Sequence, residues 1–220
     1  MQLIAETFVK NVRLVDNGQY AEGRARFWDD LADFMSTRFF ANIQFDKKPP
    51  SGIEAYFSRS RFDYDTIYIP EDKARVTLEG SGVGTTGTVE FVDDYAFALF
   101  LHEASHYIHL IRDGGKFTAP SLESRKAAAM TKSGAHAAVD TIDLEYEAGY
   151  RSLRTSKVYN LFPEGDRTVL ELNLSNMLNY IDILNRKDFE GCDPEVFKRR
   201  IEEWKHSTDY DEISDYMTVV

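Results

Sequence analysis

From Asp94 to Asp113 the chain carries neither proline nor glycine, and nearly every residue up to His102 is apolar. The stretch Asp94-Tyr-Ala-Phe-Ala-Leu-Phe-Leu101 runs straight into His102-Glu103-Ala104-Ser105-His106. An unbroken run of this kind, with Asp93 or Asp94 as N-cap, predicts a helix over residues 94–111. Leu99, Phe100, Leu101, Tyr107, Ile108 and Leu110 make that helix apolar on most sides. Such a helix must be buried, so the rest of the fold has to be built around it. Buried histidines need polar partners. His102 and His106 are four residues apart, hence on one helix face about a turn apart, and one divalent metal ion between them supplies such a partner. The bland competing reading is two core histidines bonded to backbone carbonyls. Glu103, beside the first histidine, is placed to take a proton from a water at an open coordination position, the role of a general base.

Two histidines leave a catalytic site incomplete, since three protein ligands are usual for zinc. The next helical segment contains Asp143-Leu-Glu145-Tyr-Glu147-Ala148-Gly149-Tyr-Arg151-Ser152. Glu145 shares a face with Ala148, Gly149 and Ser152, at spacings of three, four and seven. Small residues there let another backbone approach closely, and a carboxylate among them points into the contact. Glu147 instead has Arg151 at i+4 and Arg154 at i+7, the pattern of an exposed salt-bridged face. Glu145 is therefore preferred as third ligand. Glu147 stays open as the alternative, with Asp140 and Asp143 behind it. An ordinary acidic helix start would also account for this segment.

The arrangement resembles the gluzincin branch of the zincin metallopeptidases, with His-Glu-x-x-His on one helix and a glutamate on a following one. Glu145-Tyr-Glu-Ala-Gly149 is similar to the Glu-x-Glu-Ala-Asn stretch of small ImmA/IrrE-type metallopeptidases. Asp65-Thr-Ile-Tyr-Ile-Pro70, followed by Tyr95 through His106, is similar to the strand and helix of antirestriction-protein zincin domains. The likeness covers about residues 65 to 153. Gly149 departs from the polar residue usual at its place. The metzincin pattern fails, because His109 stands where glycine is required and Arg112 where histidine is. The resemblance implies zinc-dependent peptide-bond hydrolysis, with Zn2+ on His102, His106 and Glu145 and with Glu103 as base.

Composition narrows the partners. A net charge of −11 offers no broad basic surface for nucleic acid or an anionic membrane. The single cysteine, Cys192, excludes an internal disulfide and a cysteine-rich zinc knuckle. Glu6 interrupts what would be a signal-peptide core, and no apolar run approaches a membrane span. These features predict an intracellular, cytoplasmic protein acting on a protein or peptide. A reading from another class is a zincin-fold binding module, metal-stabilised or metal-free, serving as a virion or host-interaction component.

The expected architecture is α+β and zincin-like. One domain spans residues 1–220, with a small antiparallel or mixed sheet on the motif helix and more helices at both ends. Helices are expected over 2–16, 21–40, 140–160, 173–186 and 194–205. The N-terminal 50 residues read as helical and 207–220 as an acidic tail. Strands are expected over 62–69, 74–79 and 86–92. The first borders the active-site cleft as an exposed edge able to pair with an extended peptide. Pro49-Pro50-Ser51-Gly52 reads as a turn. Gly80-Ser-Gly-Val-Gly84 reads as a hairpin connection, since it lacks the ending of a phosphate loop. Residues 113–138 read as a loose rim. His109 reads chiefly as a helix-end histidine, with substrate orientation or a second site as the alternatives, and His136 as a residue of the loose segment, with oxyanion stabilisation as the lesser alternative. Tyr107, Tyr146 and Tyr150 read chiefly as core, and His206 as surface.

Overall fold

The computed structural model describes residues 2–4, 11–36, 41–46, 55–58, 65–80, 85–112, 134–162, 168, 169 and 172. In chain order these form β1 (Gln2–Ile4), β2 (Val12–Leu14), α1 (Ala21–Ser36), β3 (Ala41–Asp46), β4 (Tyr56–Ser58), β5 (Asp65–Pro70), β6 (Ala74–Glu79), β7 (Thr86–Phe91), α2 (Asp94–Arg112) and α3 (Gly134–Tyr159). The fold is α+β. The apolar helix foreseen at 94–111 is α2, and the Asp93 carboxylate caps it by accepting a 2.7 Å hydrogen bond from the Ala96 N–H.

Two mixed sheets flank the helices. One has the order β1-β3-β5-β4, with β3 and β5 parallel and the short outer strands antiparallel to their neighbours. The other has the order β2-β7-β6, in which β6 and β7 form an antiparallel pair and β2 joins β7 in parallel. Alternation sets which face of the first sheet is apolar. Ile43, Phe45, Ile67 and Ile69 are fully buried, while Asn42, Gln44, Thr66 and Tyr68 project to the other side. Helix α2 packs on β4 and β5.

Three expectations are corrected. Residues 2–16 are not one helix, because β1 and β2 lie within them. The apolar spacing of Val12 and Leu14 is also period two, and pairing with β7 selects the strand. The N-terminal 50 residues are accordingly mixed, with β3 as a further strand. The strand expected at 62–69 is β5, and it is internal: β3 pairs along all of it, and β4 covers Thr66 to Tyr68 from the other side. From Thr66 to Tyr68 both of its edges are paired, so that stretch is not open to a peptide. The loose rim foreseen to 138 ends earlier, since α3 already begins at Gly134. The turn at 49–52, most of the rim, the expected helices at 173–186 and 194–205, and the tail lie outside the described residues.

An aromatic cluster ties α1 to α2. Phe27, Trp28, Leu31 and Met35 of α1 are all buried. The Phe27 ring lies 6.3 Å from Phe97 and 6.3 Å from Phe100, both edge-on, and Trp28 lies 5.6 Å from Phe100. Phe91 of β7 adds contacts of 5.3 and 5.0 Å to Phe97 and Phe100. The Trp28 indole N–H donates to the Val12 carbonyl at 3.0 Å, which fixes β2 to the same cluster. Gly23 permits the close approach of α1 to the end of α3, because a Cβ there would collide with the Tyr159 carbonyl oxygen.

Arg24 is the polar counterpart of this cluster. Its guanidinium bonds Asp16 at 2.8 Å, Asp94 at 2.5 Å and the Leu161 carbonyl at 2.9 Å, and it lies over the Phe97 and Phe162 rings. One side chain thus joins the segment after β2, the first turn of α2 and the chain leaving α3. That chain reverses at Asn160, whose φ of 55° suits asparagine better than most side chains. The Leu161 N–H then donates to the Ser156 carbonyl at 3.0 Å, a Schellman-type closure. Among the described residues no helix is long and apolar enough to cross a membrane.

Candidate metal centre

Helix α2 carries both histidines into the interior. His102 and His106 are 2% and 4% exposed, with ring centroids 4.8 Å apart and planes at 88°. Helix α3 runs antiparallel to α2. Phe97, near the start of α2, touches Phe162 just beyond the end of α3, whereas His106, further along α2, meets Glu145 well before that end. The small face foreseen on α3 makes this approach possible: Ala148 and Ser152 are fully buried and Gly149 is buried.

Glu145 faces both histidines. A single carboxylate oxygen, Oε2, lies 2.9 Å from His102 Nε2 and 3.4 Å from His106 Nε2. The three side chains form a buried group of possible metal donors whose ligand atoms all lie within 4.8 Å of one another. This group could hold a metal ion. The two nitrogen–oxygen separations bracket the edge, about 3.3 Å, of a tetrahedron with bonds near 2.05 Å. Burial alone would push the Glu145 carboxyl upward. The charge of His106 and the hydrogen bonds from His102 and His106 outweigh it and hold the group well below the ordinary glutamate value.

The neighbours sort themselves by burial. Glu103, next to the first histidine, is 7% exposed. Glu147 stands apart from the donor group: its half-exposed side chain pairs with Arg151 at 3.8 Å, as the i+4 spacing foretold. His109 is buried on the same helix face but is not part of the donor group. Tyr107 is core, packed edge-on against Phe34 and Phe57 at 5.9 Å each. Tyr150 is half-buried, with Arg154 over its ring. The side chains of His136, Asp140, Asp143 and Tyr146, and all of His206, lie outside the described residues.

Sequence reasoning passed over one residue, Ser105. It is fully enclosed, and its hydroxyl donates to the Leu101 carbonyl at 2.7 Å. The Ser152 hydroxyl approaches it at 3.2 Å while also reaching the Ala148 carbonyl at 2.6 Å. The available signal was a serine between the two histidines on a helix that otherwise buries apolar groups. Compared with known proteins, the chain matches no family model, no curated protein and no solved structure.

Proposed function

We infer that this protein is a zinc-dependent peptidase of zincin type, with His102, His106 and Glu145 as metal ligands and Glu103 as general base. The observation that carries the reading is the convergence of two buried Nε2 atoms on one carboxylate oxygen, with a further buried glutamate next to the first histidine. Two nitrogens and an oxygen are a donor set that suits zinc, and three protein ligands leave a position for water or substrate. A zinc ion held there would supply Lewis acidity, making a water acidic near neutral pH and polarising a carbonyl. The chain's own groups do the rest. Around an ion, His102 and His106 would give up the Nε2 protons they share with Glu145 and offer Nε2 lone pairs as neutral Nδ1–H tautomers. Glu145 brings one negative charge into a site that otherwise has neutral donors. Glu103 accepts the proton of the attacking water and delivers it to the amine that leaves. A net charge of −11 disfavours a nucleic-acid substrate and so favours a protein or peptide one.

The test has two stages. Zinc-soaked protein should retain about one zinc per chain, and His102→Ala should lose it. Retention of no metal by the wild type would overturn the reading. Glu103→Gln should keep its zinc and lose at least about a hundredfold in hydrolysis of a peptide library, the lower range for loss of a general base. Equal hydrolysis by wild type and Glu103→Gln would remove Glu103 from the mechanism. Retained zinc without hydrolysis by either would favour a metal-stabilised binding module.

A further inference from the structure

Glu145 reaches both histidines only if α3 keeps one axial register against α2. A slip of one residue moves its backbone by about 1.5 Å, enough to break a contact of 2.9 Å. On α3, Ala148, Gly149, Ser152 and Ser156 are buried and small, so the ridges they form are shallow.

The hydroxyl pair adds a directional tie at this seam. Ser105 lies three residues after His102 and one before His106, between the two metal-facing side chains. Its own proton goes to the Leu101 carbonyl, so it turns lone pairs toward α3. The Ser152 hydroxyl supplies the donor, at 3.2 Å, with its proton shared with the Ala148 carbonyl. Ser152 is seven residues, two full turns, beyond Glu145, and so lies on the same face of α3.

We propose that Ser152 is a positioning residue for the metal centre, setting through Ser105 the register in which Glu145 meets His102 and His106. This rests on the three-ligand reading above. Removing the Ser152 oxygen leaves Ser105 still donating to Leu101, so no buried hydroxyl proton is stranded and the metal-free fold loses little. The metal centre loses more, because groups that orient ligands contribute about 10–100-fold in metal affinity.

Three quantities distinguish positioning from packing: zinc affinity by chelator competition, the visible spectrum of the cobalt(II)-loaded protein, and the melting temperature without metal. Ser152→Ala should weaken zinc about tenfold or more and alter the cobalt bands, with nearly unchanged metal-free melting. Ser105→Ala should reproduce the change, and the double variant should be no worse than either single one. Ser156→Ala, a buried serine one turn further from Glu145, should leave affinity and spectrum as in the wild type. Wild-type affinity and cobalt spectrum in both Ser152→Ala and Ser105→Ala would overturn the proposal while leaving the metal centre intact. Equal losses in Ser156→Ala would overturn it in favour of general helix packing. A wild type that takes up neither metal would remove the three-ligand reading and this proposal together.

Discussion

His102 Nε2 and Glu145 Oε2 lie 2.9 Å apart although 43 residues separate them in the chain. Glu147, two positions further on, faces Arg151 instead. Glu145→Gln should therefore weaken zinc binding by more than the roughly 10–100-fold that outer-shell changes cost. Glu147→Gln should leave it unchanged. Chelator competition on the two variants measures both, and a larger loss in Glu147→Gln would reverse the assignment.

The same contact makes metal-free stability depend on pH. The Glu145 carboxyl titrates lower in the folded protein than in the unfolded chain, where it would have the ordinary value of about 4.3. The unfolded state then binds protons first as pH falls. The stabilisation from the ionised carboxylate is whole above that ordinary value and drains away as pH drops toward the folded one. Urea midpoints of metal-free wild type should fall more steeply than those of metal-free Glu145→Gln below about pH 4.5. Parallel curves would contradict the assignment.

Gly23→Ala should destabilise the protein at or above the upper end of the roughly 1–3 kcal/mol typical of overpacking. The added methyl meets backbone oxygens of Tyr159 and Asn160, which cannot swing aside as a flexible side chain could. Denaturant unfolding gives the value, and a change below about 0.5 kcal/mol would mean that the two helices part easily.

Arg24→Lys keeps the charge and loses the fork. A single ammonium cannot reach Asp16, Asp94 and the Leu161 carbonyl together. The expected cost is about 2 kcal/mol, from two lost hydrogen bonds in a mostly buried setting. The Asp94 side chain is 45% exposed, so its share is small beside that of the Leu161 carbonyl. Thermal unfolding of the variant measures the sum.

Elements that carry their own periodicity could be read from the chain alone. Helix α2 announces itself through an unbroken apolar run and a capping aspartate, and the partner face of α3 through its small residues around Glu145. Strands β6 and β7 were legible from β-branched residues flanking a glycine-rich connection. The N-terminal strands were not, because Val12 and Leu14 suit either period and only pairing with β7 decides between them. β3 did carry a signal, with Ile43 and Phe45 alternating with Asn42 and Gln44. The place of β5 within its sheet had no local signature, since β3 and β4, which flank it, are specified elsewhere in the chain. Ser105 escaped notice for a similar reason: its partner, Ser152, belongs to another helix.

The antiparallel pair α2 and α3 is built like a clothes peg. Its sprung end is the Arg24 and Phe97–Phe162 cluster, and its jaws are the imidazoles and the carboxylate. A peg whose jaws are damaged still holds at the spring. Lesions at the jaws should therefore show as local opening, with amide exchange speeding up around Glu145 while the turns near Tyr159 stay protected. Lesions at Gly23 or Arg24 should release both ends at once.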